Sequence, residues 1–195
     1  MSDLAAVLGR IELGLNALGR QAVLEKLLPG KTGSRVRDCI NSVALPSNAQ
    51  VESLFGWRNG TNTQSVTSLD DIHVFPGFYF LSIEDATANY RAFRNDDRWS
   101  HGWLPLFANG GGDFYVVDLA SDCPGSVRHF RIDEDEHPLE FESIAAMATT
   151  MAAAFERGTF FVDSDGYLEM DDIAFAALAA ELNPLVPWWN ETIQG

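Results

Sequence analysis

The stretch Trp103–Leu119, WLPLFANGGGDFYVVDL, carries two apolar runs, Trp103–Phe107 and Phe114–Leu119, on either side of Asn109-Gly110 and two further glycines. Aromatic and β-branched residues flanking such a break predict a β-hairpin. Gly110, Gly111 and Gly112 can take positive φ, a region that a Cβ makes costly. Phe114, Tyr115, Val116 and Val117 do not alternate with polar residues, so their strand is expected to be covered on both faces. Pro105 has no N–H to give to a ladder, which places the first strand at an edge or at a bulge. This hairpin is expected at the centre of the fold.

Downstream of it, Pro124-Gly125 turns the chain into a third strand, Val127–Ile132, and Asp133-Glu134-Asp135-Glu136 forms an acidic loop closed by Pro138. Phe141, Ile144, Met147, Met151 and Phe155 fall on one helical face, and Gly158 ends that helix. Phe160–Val162 and Tyr167–Leu168, separated by Asp163-Ser164-Asp165-Gly166, predict a second, small hairpin. Asp171-Asp172 suit a helix N-terminus through its dipole, and Asn183-Pro184 breaks that helix. Trp188-Trp189 are expected to seal an edge of the core.

Upstream of the hairpin, Ser82 can cap a helix over Ile83–Phe93, preceded by the turn Phe75-Pro76-Gly77-Phe78 and a short strand to Leu81. Thr61–Ser68 reads as a polar surface loop. Asp38–Asn59 looks helical, with Pro46-Ser47 at the start of its main segment and Asn59-Gly60 at its end. Leu4, Val7, Leu8, Ile11, Leu15 and Leu18 mark an amphipathic helix, weakened by Gly9, Gly14 and Gly19. A second run, Ala22–Leu28, stops at Pro29-Gly30, and Lys31–Arg37 reads as a basic linker too short to bind nucleic acid. The chain is thus read as α+β: a single domain over residues 38–195, mainly an antiparallel sheet with a central hairpin flanked by helices. An N-terminal helical arm and linker occupy residues 1–37, and the arm either packs on the core or receives a second copy of the chain.

With 195 residues, 46% of them hydrophobic, the chain can bury a core without disulfides or metal. Cys39 and Cys123 have no close neighbours for a disulfide framework or a zinc site. No apolar run approaches the roughly 20 residues of a membrane helix. The apolar N-terminal pattern is interrupted by Asp3, Arg10 and Glu12, unlike a signal peptide. A cytoplasmic monomer or homodimer is the expectation.

The formal charge is −15, unevenly placed: residues 1–44 hold six Lys/Arg against four Asp/Glu, and residues 45–195 hold seven against 24, a balance of −17. Such a field repels nucleic acid and anionic membrane and attracts basic proteins. Acidity of this kind also simply keeps a domain soluble.

Most familiar chemistry is poorly matched. A glycine-rich phosphate loop needs a helix N-terminus behind it, whereas Gly110–Gly112 leads into a strand and is followed by the negative charge of Asp113. Asp163-x-Asp165-Gly166 with Glu169 has a calcium-loop flavour, but its glycine is at position four instead of six, and position twelve is Ala174. His73, His101, His129 and His137 lack zinc-binding spacing, and neither a nucleophile elbow nor a marked cysteine nucleophile is present. No cofactor, metal or catalytic residue is assigned. Asn95-Asp96-Asp97-Arg98-Trp99-Ser100-His101 is more suggestive. Either Trp99 is an aromatic anchor inside an acidic rim, as interfaces use, or it tucks under the helix Ile83–Phe93. Asp96, Asp97, Trp99, Asp113 and the run Asp133, Glu134, Asp135, Glu136 are the candidate partner-binding residues, with Gly110, Gly111 and Gly112 as the structural turn.

The Trp103 strand, the Gly-Gly-Gly-Asp turn, the aromatic strand ending in Asp118-Leu119 and the Gly125-Ser126 turn together resemble the SUKH superfamily of Smi/Knr-like proteins, over about Leu45 to Trp189. Leu45-Pro46 and Asn59-Gly60 match an early family helix, and Leu81-Ser82 with Glu84-Asp85 match the start of the next. The resemblance implies a non-enzymatic immunity protein that binds a cognate toxin domain, and the acidic field implies a basic one. A cytoplasmic regulatory or scaffold role is the alternative, and an acidic-site hydrolase the third reading.

Overall fold

The computed structural model describes residues 4–64 and 66–192. Helices α1 (Leu4–Ala17) and α2 (Gln21–Lys26) lead into strand β1 (Leu27–Pro29), helix α3 (Gly33–Asn41), helix α4 (Ala49–Trp57) and strand β2 (Arg58–Thr61). After a 3₁₀ turn at Leu69–Ile72 come β3 (Tyr79–Phe80), α5 (Ile83–Phe93), β4 (Trp103–Ala108), β5 (Phe114–Asp118), β6 (Val127–Phe130) and β7 (Leu139–Phe141). The chain then forms α6 (Ile144–Glu156), β8 (Phe160–Val162), β9 (Leu168–Met170), α7 (Asp172–Leu182) and α8 (Pro187–Thr192). The structure is α+β, as the patterning predicts.

The central sheet runs in the order β3-β4-β5-β6-β7, antiparallel throughout, with the predicted hairpin β4–β5 in the middle. Every residue of β4 and β5 is buried: Phe93 of α5 packs on Phe114 and Phe130 on one face, and Phe75 and Phe78 pack on Phe107 and Tyr115 on the other. The β4–β5 register shifts between Pro105 and Phe107, so Pro105 sits at a bulge within an inner strand. In the turn, Gly110 and Gly112 have φ of +80° and +113°, while Gly111 does not enter the left-handed region. Asn109 Oδ1 accepts from the backbone N–H groups of Gly111 and Asp113, which closes the turn on itself.

Local capping explains the helix starts. Ser82, Ser143 and Asp171 each accept a backbone N–H three residues on, at α5, α6 and α7. Buried Asn59 accepts from the N–H of Ile83 and donates to Glu84 Oε2, so β2 also holds the start of α5.

The structure differs from the sequence reading at several places. Lys31–Arg37 is not a linker: Thr32 accepts from the N–H of Arg35 and starts α3. Leu27 and Leu28, read as the end of a run stopped by Pro29-Gly30, belong with Pro29 to a strand that pairs with β2, and Asn59-Gly60 lies in β2 and does not close α4. Phe141, read as part of the α6 face, belongs to β7 and pairs with Val127. Residue 37 lies inside α3, and Leu4, Val7, Leu8 and Leu15 are buried in the same core as the sheet. The arm therefore packs on the core. A Cβ on Gly14 would meet Phe155 of α6 at 2.5 Å, which shows how closely α1 and α6 approach.

Candidate protein-binding face

The loop after α5 is a tight turn, with Asp96 N donating to Phe93 O and Trp99 N donating to Asp96 O. Within it, Asp96 Oδ1 accepts from the backbone N–H and the Nε of Arg98, both at 3.0 Å, and Oδ2 accepts from Nη2 at 2.9 Å. This forked pairing lowers the Asp96 carboxyl to about 2, the Arg98 side chain being the main cause. The remaining Nη1 of Arg98 donates to the carbonyl of Ile132. Ile132 N in turn donates to Asp113 Oδ1 at 2.9 Å, and Asp113 Oδ2 accepts from Asn109 Nδ2 at 2.7 Å.

Three segments far apart in sequence are thereby tied at one end of the sheet: 95–98, 109–113 and 131–137. Asp96 and, more weakly, Asp135 and Asp133 hold the Arg98 guanidinium above its usual pKa. Asp97, Asp133, Glu134, Asp135 and Glu136 are exposed. The loop 131–137 is braced on its inner side. Arg131 N donates to His137 Nδ1, Arg131 Nη2 donates to the carbonyl of Glu136, and the His137 ring lies 4.5 Å from Phe130. Burial, then Arg98 and Arg131, push the His137 imidazole below its ordinary pKa, so it stays neutral near pH 7.

Two predicted partner-binding residues have other surroundings. Trp99 is 4% exposed. Its ring packs 4.9 Å from Phe130, 5.3 Å from Phe93 and 5.9 Å from Phe114, so it is tucked beneath the end of α5 and offers no exposed ring. Placing a wide apolar ring against three others removes it from water, which the polar neighbours in its own loop cannot do. Asp113 is half-buried, with both oxygens engaged in joining the turn to Ile132. The sequence reading missed Arg98 as the joint between loops. The Asp-x-Arg spacing shows the local pairing, but its bond to Ile132 crosses 34 residues.

Buried carboxylates elsewhere serve the fold. Asp118, 4% exposed, accepts from Trp103 Nε1 and from the N–H groups of Ala120 and Ser121, which shapes the turn after β5. Glu140, 3% exposed, accepts from the Tyr115 hydroxyl at 3.0 Å and lies 3.2 Å from His129 Nδ1. Burial first, and then Glu140, raise the Tyr115 phenol well above its normal pKa. Both side chains are buried, Tyr115 on β5 and Glu140 on β7. In the β8–β9 turn, Asp163 Oδ1 accepts from Asp165 N and Tyr167 N, both at 2.9 Å, so its carboxylate shapes the backbone. Among the described residues no group of three or more His, Cys, Asp or Glu is placed to hold a metal. No helix among them is long and apolar enough to cross a membrane.

A comparison with curated proteins found no match. A family model does match, over residues 53–152, from within α4 to within α6. The matched stretch contains all five strands of the central sheet and all three tied segments, and is shorter than the Leu45–Trp189 resemblance. The SUKH proteins include immunity proteins and bind toxin partners, and they are generally non-catalytic. With half of its length matched and the expected hairpin at its centre, the chain belongs to the SMI1/KNR4 family (SUKH-1).

Proposed function

We propose that this chain is a non-enzymatic immunity protein of the cytoplasm that neutralises a basic toxin domain by direct contact. The observation that carries the reading is the junction at Arg98, which pairs with Asp96 and reaches the carbonyl of Ile132 beside the acidic run, with Asp135 and Asp133 near enough to raise its pKa. On this reading the exposed Asp97 and Asp133–Glu136 form a negative rim beside the packed rings of Trp99 and Phe130. A rim of this kind raises the encounter rate with a positively charged partner and sets its orientation.

The test uses the protein encoded immediately upstream as the partner. Association should slow by roughly ten-fold or more between about 0.1 M and 1 M salt, as the Debye length falls from about 10 Å to about 3 Å. Dissociation should respond less, since it depends on desolvated contacts. Reversing the charges at Asp133–Glu136 should slow association more than their share of net charge explains. An association rate flat across that salt range would remove the basic toxin while leaving family membership intact.

A further inference from the structure

Six large apolar side chains are exposed among the described residues, and three of them, Phe161 (39%), Tyr167 (48%) and Ile173 (85%), lie within one stretch of 13 residues. That stretch is the β8–β9 hairpin and the start of α7, beyond the residues the family model matches. One face of the hairpin holds it to the body: Phe160 and Leu168 are buried, and Phe160 stacks at 5.5 Å on Phe175 of α7. On the opposite face Phe161 pairs across the strands with Glu169, and the pleat puts Tyr167 on that same side. The inner face anchors the hairpin, together with hydrogen bonds from Arg20 to Gly166 O and from Leu168 N to Asp70. Exposed aromatic and aliphatic groups beside charged ones are the composition of an interface.

The charge here has one sign. No Lys or Arg follows Arg157, while residues 158–195 hold seven Asp and Glu. Asp165, Glu169 and Asp172 enter no ion pair among the described residues. The nearest cation, Arg20, is spent internally: it pairs with Asp70 at 2.7 Å with its side chain 11% exposed, and it also donates to Gly166 O. Between the hairpin and the 3₁₀ turn lies a groove of about 320 Å³ lined by Asp70, His73, Pro76, Tyr167, Glu169 and Asp172. That is room for one long side chain, near the lower end of ligand-pocket sizes. Burial keeps the His73 imidazole below its usual pKa, despite the opposing pull of Asp70, so the groove gains no positive charge from it near neutrality.

We infer that this hairpin is a second protein-docking surface, taking a basic, partly apolar segment of a partner. A Lys or Arg of that segment enters the groove against Glu169, Asp172 and the Tyr167 ring, with an apolar neighbour on Phe161 or Ile173. The inference shares with the proposed function only the reading that the chain binds proteins.

The probe is a synthetic peptide alternating arginine and leucine, followed through backbone amide chemical shifts of the full chain. Saturable shifts should concentrate on residues 161–173 and the groove. Glu169→Lys combined with Asp172→Lys, and separately Tyr167→Ala, should each weaken binding roughly five-fold or more, and so should replacing the peptide's leucines with serine. A peptide with glutamate for arginine should not bind. Equal affinity of wild type and all these variants overturns the inference. So do shifts confined to 95–98 and 131–137, although they leave the proposed toxin face standing. All the substituted side chains are exposed, and unchanged melting temperatures will show that the variants fold.

Discussion

The loop 95–98 and the β8–β9 hairpin are built from the same ingredients, carboxylates and an aromatic residue, and they resolve them in opposite ways. In the loop, Trp99 is buried against Phe93 and Phe130, and Asp96 is held by Arg98. In the hairpin, Tyr167 stays 48% exposed and Glu169 has no cationic partner among the described residues. The difference comes from what each element leaves open. The end of α5 and the inner strands β5 and β6 form an apolar socket beneath Trp99, whereas the hairpin already fills its inner face with Phe160 and Leu168. An acidic loop over a buried aromatic ring and an exposed acidic-apolar surface follow from similar composition.

The largest test of this contrast is aromatic deletion. Trp99→Ala should cost about 3–5 kcal/mol in urea denaturation, since it empties a packed site. Tyr167→Ala should stay within about 0.5 kcal/mol, as at an exposed position. Similar losses for both would break the comparison.

A smaller effect is expected in the turn that supports the acidic rim. Gly112→Val must adopt φ of +113°, and its Cβ would meet Ile132 Cδ1 at 2.6 Å. A loss of more than about 1 kcal/mol is expected there and also at Gly110, and less at Gly111, whose nearest atom is Asn109 Oδ1 at 3.4 Å. Identical denaturant midpoints for the three valine variants would show that the turn does not hold the rim.

The smallest effect is electrostatic. Because the folded-state pKa of Asp96 is depressed to about 2 from an ordinary 3.8, its contribution is complete above the ordinary value and is lost as pH falls toward 2. Carboxyl carbon shifts should report a midpoint near 2 in the wild type. Arg98→Ala should return it to the ordinary range and loosen 131–137, visible as faster amide exchange there. A midpoint unmoved by that substitution would mean that something else lowers Asp96.

What the sequence determined by itself is short-range. The glycine turn between two apolar runs could only be a hairpin, because a Cβ is costly at the φ of Gly110 and Gly112. Ser82, Gly158 and the Ile144–Phe155 periodicity placed helix ends and faces through interactions spanning a few residues. Tertiary structure decided whatever depended on a distant partner. Leu27–Pro29 became a strand because β2, some 30 residues on, offered its edge. Phe141 left the helical pattern to pair with Val127. Trp99 was free, on its own sequence, to be an anchor or a core residue. Phe130 and Phe114, brought beside it by the sheet, made burial the stable choice, since burial requires neighbours that a local pattern cannot supply. The acidic rim itself is tertiary: its loops are strangers in sequence, joined where Arg98 reaches the carbonyl of Ile132.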